Sequence, residues 1–257
     1  MIKFVDTHSH IYQNDYIEDI DDVIRDAKNA GIDKIYLPNV DLESIEPMHQ
    51  LQSKYPDYFE IMMGLHPTSV EKDYQKQLDI IHTHLHQYDY CAIGEIGIDL
   101  YWSKELIAEQ QKAFEIQLQW AIESDKPVVI HTRDSLDKTL EIVTKFNGLR
   151  GIFHSFGGNS DDAKRILEAG DFYLGINGVV TFKNTTLRET LKSVPLERIV
   201  LETDAPYLTP VPYRGKRNHP SYIPIIAKQL AEVYNTEIDE IGAITTQNAS
   251  NAFRKCK

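Results

Sequence analysis

An alternation constrains this chain more than any other feature. Eight short runs of strand character recur along it, at Ile2–Val5, Lys34–Leu37, Glu60–Gly64, Tyr90–Gly94, Pro127–Ile130, Gly151–Phe153, Phe172–Gly175 and Arg198–Leu201. Helical patterns lie between them, such as "IDDVIRDAKNAG", "KELIAEQQKAFEIQLQWAIES" and "DSLDKTLEIVTKF". Several of these start on Asp or Ser and stop near Gly, the residues that satisfy or terminate helix ends. Parallel strands need a crossover connection, and a helix is the usual one. Eight such units in 257 residues predict an α/β fold, the closed (β/α)8 TIM barrel, which takes about 250 residues. An open doubly wound sheet is the alternative, but no G-x-G-x-x-G follows the first strand. The sequence shows no linker, repeat or low-complexity segment, and from Ser221 onward two further helices are expected to close the barrel. Residues 1–257 therefore read as one domain.

Composition narrows the function classes. No apolar run is long enough to span a bilayer, and "MIKFVDTHSH" turns polar too soon for a signal peptide. The two cysteines, Cys91 and Cys256, lie far apart and in no C-x-x-C spacing. That fits a reducing, cytoplasmic setting rather than a disulfide framework. A net charge of −12 argues against broad wrapping of nucleic acid, though not against a small, locally positive site. Nothing points to an obligate protein partner.

The ends of the strand candidates carry the chemistry. The first run leads into "DTHSH", where His8 and His10 are two residues apart and share a face if extended geometry persists. The third ends in "GLHP" with His66, the fourth in "GEIGID" with Glu95, and the fifth in "IHTRD" with His131 and Arg133. The sixth ends in "FHSFGG" with His154, and the eighth in "LETDAP" with Glu202 and Asp204. In a barrel these ends meet on the face where active sites sit. A metal centre would satisfy so many gathered imidazoles and carboxylates. "HTHLH", His82 to His86, also contains H-x-H, but lies in a helical pattern with Leu78, Ile81 and Leu85 as its apolar stripe. Residues two apart on a helix do not face each other, so it reads as a solvated helix face.

His8, His10 and Asp204 could hold one divalent ion and His131 and His154 a second, with Glu95 as the bridge. Paired ions lower the pKa of a shared water and clamp the attacking and leaving oxygens. Asp204 is placed to take the proton from that water. A mixed imidazole and carboxylate shell does not choose among Mg, Mn, Zn, Ni and Fe.

The segments "DTHSH", "GLHP", "GEIGID", "IHTRD", "HSFGG", "TFKN" and "ETDAPYLTPVPYRGKRN" resemble, in order and over nearly the whole chain, the motifs of the TatD family of metal-dependent deoxyribonucleases, a branch of the amidohydrolase-like barrels. The resemblance implies that His8, His10, Glu95, His131, His154 and Asp204 are metal ligands. Glu95 stands where many amidohydrolases bridge two ions with a carboxylated lysine. It also implies metal-dependent cleavage of DNA phosphodiesters, often from the 3′ end, with Glu95 and Asp204 catalytic. The chain departs from the pattern at Ser155 and Gly157, where the family motif is closer to "HCFSG", and at His219, where the family usually has Glu. Neither change removes an expected ligand, but His219 leaves substrate preference open.

The residue chemistry can be compared with a phosphate substrate directly. Two divalent ions outweigh two carboxylates and a bridging hydroxide, so the centre would be positive inside an acidic protein. Arg133, Lys183, Arg214, Lys216 and Arg217 fall in loops after strands five, seven and eight, and guanidinium groups suit phosphate oxygens. Arg133 is the strongest candidate among them. His66 is a candidate to contact phosphate or to protonate the leaving oxygen. Two other readings stay open: an amide, ester or lactone hydrolase on the same barrel, and a non-catalytic nucleic-acid-binding relative.

Overall fold

In this computed structural model residues 3–102 and 104–254 are described. Ile2 of the first strand candidate and Cys256 lie outside the described residues. The strands are β1 (Phe4–Asp6), β2 (Ile32–Leu37), β3 (Phe59–Ile61), β4 (Ile93–Asp99), β5 (Val128–Arg133), β6 (Arg150–Phe153), β7 (Asp171–Ile176) and β8 (Ile199–Leu201). All neighbours pair in parallel, β1 to β3 in one run and β4 to β8 in another. The two runs join through a Met63–Ile93 bridge and a Ser9–Ala205 bridge. The Thr7 N–H donates to the Leu201 carbonyl at 3.0 Å and the Met63 N–H to the Ala92 carbonyl at 3.2 Å. These bonds close the sheet on itself, which is the expected (β/α)8 barrel.

Between the strands run α1 (Ile20–Asn29), α2 (Ile45–Lys54), α3 (Tyr74–Gln87), α4 (Ile107–Glu123), α5 (Leu136–Val143), α6 (Ser160–Glu168) and α7 (Leu187–Leu191). The two expected tail helices follow as α8 (Ile223–Tyr234) and α9 (Ile238–Ala252). Local chemistry fixes their ends. At α6 the Asn159 side chain accepts from the Asp161 and Asp162 N–H groups, and the Asp162 carboxylate accepts from the Asn159 N–H, a reciprocal capping box. Among the described residues no helix is long and apolar enough to cross a membrane. Cys91 is a free thiol that burial keeps protonated by pushing its pKa up.

Alternation along the strands sorts the side chains into layers. Ile130, Phe153, Leu174 and Ile199 belong to the main apolar core shared with the helices. Val129, Ile152, Tyr173 and Val200 form a separate cluster with Ala249, Ala252 and Phe253, at the end of α9. Two residues beyond Val129, Ile152 and Val200 stand His131, His154 and Glu202, on the same side of their strands. The polar layer is therefore stacked on an apolar plug. Fully burying a large apolar side chain contributes roughly 1.5–3 kcal/mol, and these layers offset the cost of the charges buried above them.

One boundary differs from the sequence expectation. The fourth strand was expected to stop at Gly94, but β4 runs from Ile93 to Asp99 with every residue buried. Gly97 does not end the strand. It sits at φ +146°, and a Cβ there would fall 1.9 Å from the His131 carbonyl oxygen, so glycine is what lets β4 lie against β5. β5 likewise continues through Arg133, paired with Asp99. Glu95 and His131 are thus held on the strands themselves.

Candidate metal centre

The segment after β1 stays extended because the Ser9 N–H donates to the Tyr36 carbonyl and the His10 N–H to the Ala205 carbonyl. His8 and His10 therefore point the same way, with their Nε2 atoms 3.2 Å apart. Glu95 stands between two groups of histidines. Its Oε2 lies 3.1 Å from His8 Nε2 and 3.7 Å from His10 Nε2. Its Oε1 lies 2.7 Å from His154 Nε2, 2.9 Å from His131 Nδ1 and 3.2 Å from His66 Nε2. Asp204 completes the first group, with Oδ1 3.5 Å from His10 Nε2 and 3.8 Å from His8 Nε2. The structure thus brings His8, His10, His66, Glu95, His131, His154 and Asp204 into one cluster, with His8, Glu95 and His154 almost fully buried.

The hydrogen bonds behind the rings fix which nitrogen faces inward. The Tyr12 hydroxyl donates to the Pro38 carbonyl at 2.6 Å, so its oxygen is left to accept from His10 Nδ1–H at 3.1 Å. His10 Nε2 then carries a lone pair. His131 Nε2 is 2.9 Å from Asp99 Oδ2, which accepts its proton and leaves Nδ1 free. His154 Nδ1 faces Glu202 at 3.6 Å, beyond hydrogen-bond range. His66 is the opposite case. Its Nδ1 accepts from the Thr68 N–H at 3.1 Å, so its proton sits on Nε2 and is aimed at Glu95. Carboxylates and carbonyl-anchored hydroxyls behind imidazoles are the usual outer layer of metal sites.

Charge follows from these contacts. Burial alone would raise the Glu95 pKa, but His154, His66 and His8 hold its carboxyl well below the usual range. Burial also works against a proton on His154, yet Glu95 and Glu202 raise its pKa well above the ordinary value. Burial lowers the pKa of His66, keeping it a neutral donor. Asp6, beneath the cluster, has its pKa pushed up to about 8 by burial, and its Oδ2 accepts from the Thr203 hydroxyl.

These donors fit a divalent cation. His8 Nε2 and His10 Nε2 approach to 3.2 Å, and His131 Nδ1 and His154 Nε2 to 3.1 Å, separations that need a proton or a cation between the nitrogens. Ligand atoms of His8, His10 and Glu95 lie within 4.8 Å of one another, as do those of His8, His154 and Glu202 and those of His66, Glu95 and His131, close enough for each group to take a metal ion. Asp204, a non-glycine residue, is held at φ +55°. Its N–H donates to the His8 carbonyl at 2.9 Å and its carbonyl accepts from the Tyr207 N–H at 2.8 Å. Such conformations cluster at active sites, where the surroundings over-determine them.

The other expected residues are placed differently. Arg133 lines the cavity of about 1220 Å³ above the cluster. Lys183, Arg214 and Arg217 are not among its lining residues. Arg214 packs over the Phe182 ring at 3.8 Å, and Arg217 is paired with Asp19 at 2.5 Å. Asp99 escaped the sequence reading, and Glu202, named there at the end of the eighth strand, was given no supporting role. Asp99 lies inside "GEIGID", four residues from Glu95 and so on the same strand face. Glu202 packs so closely that a Cβ on Gly175 would fall 2.1 Å from its Oε2. His82 and His86 lie on α3, with Nε2 atoms 3.3 Å apart, away from the cavity lining. His82→Ala or His86→Ala is expected to keep kcat/KM within about twofold, as surface changes usually do. A loss as large as that of His131→Ala would overturn the assignment.

A closed parallel barrel with buried imidazoles and carboxylates gathered above its apolar plug defines a metal-dependent hydrolase. The sequence model of the family described as "TatD related DNase" matches residues 5–254. The chain is 34% identical over 252 residues to the uncharacterized metal-dependent hydrolase YabD of Bacillus subtilis, covering 97% of this chain and 98% of that protein. It is 31% identical over 253 residues to the 3'-5' ssDNA/RNA exonuclease TatD of Pectobacterium parmentieri, covering 95% and 97%. The crystal structure of the TatD homolog YjjV from Escherichia coli superposes with a TM-score of 0.91 at 27% identity, covering 97% of each chain. The chain belongs to the TatD family of metal-dependent hydrolases.

Proposed function

We propose that the protein is a deoxyribonuclease that hydrolyses phosphodiester bonds with two divalent ions, working from the 3′ end in the cytoplasm. The observation that carries this reading is Arg133. Its guanidinium lies on the wall of the cavity that holds the cluster, and it forms no salt bridge among the described residues. A phosphate oxygen would pair with that exposed guanidinium bidentately, an interaction that a neutral amide or lactone does not offer. The relative from Pectobacterium, a 3'-5' ssDNA/RNA exonuclease by name, supports the polarity and extends the substrate class to RNA.

His8, His10 and Asp204 would hold one ion, His131 and His154 the other, and Glu95 would serve both. When bound, such ions supply Lewis acidity and make a water acidic enough to react near neutral pH. Asp204 accepts the proton of the attacking water, from the position its left-handed backbone gives it. Arg133 binds a non-bridging phosphate oxygen and orients the phosphorus for attack. His66, whose Nε2–H is set by the Thr68 amide, donates a hydrogen bond to the leaving oxygen, which takes its proton from solvent. Lys183, Arg214 and Arg217, outside the cavity lining, contribute at most longer-range attraction, which salt screens.

End-labelled DNA and a panel of amides, esters and lactones, each with several divalent ions, test the reading. Arg133→Ala is expected to reduce kcat/KM on DNA by about ten- to a hundredfold, the effect of one charge-assisted hydrogen bond of ~1.5–3 kcal/mol, with metal content unchanged. Its action on a neutral ester should not change. Wild-type digestion of DNA by Arg133→Ala at every salt concentration would favour the amide or lactone hydrolase instead.

A further inference from the structure

Four aromatic side chains are exposed among the described residues: Tyr88, Tyr101, Trp102 and Tyr207. Three of them belong to the loops above the metal centre. Trp102 is 71% exposed and Tyr207 53% exposed, and both line the cavity that contains Glu95 and His131. Tyr207 stands near His10, with ring centroids 6.2 Å apart. Tyr101, 55% exposed, precedes Trp102 in the loop after β4.

That loop is tied to the centre by a single carboxylate. Asp99 binds His131 Nε2 through Oδ2 at 2.9 Å. Through Oδ1 it accepts from the Tyr101 and Trp102 N–H groups at 2.9 and 3.3 Å. The side chain that orients a metal-facing histidine therefore also sets the backbone of the aromatic pair. Arg133 covers the Tyr101 ring at 3.7 Å and lies 5.6 Å from the Trp102 ring. Tyr101 and Trp102 meet edge to face, with centroids 5.1 Å apart. The guanidinium is backed by one ring and makes no salt bridge among the described residues, and the indole beside it is open to solvent.

We infer that Trp102, backed by Tyr101 and Arg133, is a stacking platform for one unpaired nucleobase, next to the phosphate that Arg133 holds. The inference rests on the nuclease reading, for which a relative is a single-strand exonuclease by name, and adds the side chain that would hold the unpaired base. A base inside a duplex has both faces covered by its neighbours, whereas a base in a single strand or at a frayed end can give one face to an aromatic ring. The platform therefore selects single-stranded ends, with little regard to base identity, because every base has a π-face. Charge argues for a nucleotide over an apolar protein partner, since the ring adjoins a cation and a cation-binding centre.

The test uses the metal-loaded enzyme and its Trp102→Ala and Trp102→Phe variants. The substrates are a 5′-labelled single strand, its blunt duplex, and strands with an abasic residue at each of the three 3′-terminal positions in turn. Trp102→Ala is expected to lower kcat/KM on the single strand about five- to a hundredfold, and Trp102→Phe to recover most of it. At one position the abasic residue should cost the wild type a similar factor and cost Trp102→Ala little more, since partners in one contact are not additive. Metal content should be equal in all three proteins. A second readout uses the Trp120→Phe background, where Trp102 is the only tryptophan of the two in the sequence. In chelator, with the strand intact and saturation confirmed by anisotropy, Trp102 emission should be quenched. Equal cleavage by wild type and Trp102→Ala, equal losses on normal and abasic strands, or unquenched emission at saturation would overturn the platform. A wild-type enzyme that cuts no nucleic acid with any divalent ion would instead remove the nuclease reading, and the platform with it, before any variant is compared.

Discussion

Protein stripped of divalent ions is expected to hydrolyse nothing measurable, and re-addition of magnesium, manganese or another divalent ion is expected to restore turnover. The geometry leads to this directly. Two pairs of imidazole nitrogens face each other at 3.2 and 3.1 Å, and the hydrogen bonds behind His10 and His131 hold their protons on the outward side. Such facing nitrogens need a proton or a cation between them, and divalent cations serve both pairs at once. The donors come from strands as far apart in sequence as β1 and β8, so the ions should also tie the rim of the barrel together. Stripping should lower the melting temperature, since a ligand present at a hundred times its Kd stabilises by about 2.7 kcal/mol. Elemental analysis of the loaded protein should approach two ions per chain. Undiminished turnover in rigorously stripped protein would sink the mechanism, whereas an unchanged melting temperature alone would only weaken the structural part of it.

Period-two alternation made much of this centre legible. It placed His8 and His10 on one side, and the order of strand-like runs put His131, His154 and Asp204 at corresponding heights on their strands. The extension of β4 was not legible, because a glycine after a strand reads as a stop. Gly97 instead admits the β5 backbone at a spacing that a Cβ would forbid, and no local pattern shows that. The roles of Asp99 and Glu202 depend on register between strands, such as the pairing of Asp99 with Arg133, which a single strand does not encode. The "RGKR" run shows the same limit on the side of charge. Arg217 reads as an open cation near the site, yet it meets Asp19 from the far end of the chain. The His66 proton could not be placed from sequence either, since it follows from a bond to the Thr68 amide.

Glu95 substitutions should separate holding the ions from using them. Glu95→Ala is expected to lose several orders of magnitude in turnover together with bound metal, because one carboxylate faces both groups of histidines. Asp204→Asn keeps the shape and an oxygen ligand but loses the base, so it should retain more metal while turnover falls about 10²–10⁴-fold, the usual value of a positioned acid or base. His131→Ala should fall near Glu95→Ala in both respects. Folding should survive all three. Removing one partner of a buried ion pair can cost 3–5 kcal/mol when the other must stay charged, but His154 and His131 can shed their protons once Glu95 is gone. The cost to the metal-free protein should therefore be smaller than that, and a melting curve of each variant in chelator measures it. Glu95→Ala with a wild-type metal content and wild-type turnover would remove Glu95 from the centre altogether. If Asp204→Asn lost metal as completely as Glu95→Ala, the role of Asp204 would reduce to that of a ligand, and the base would have to be sought elsewhere on the rim.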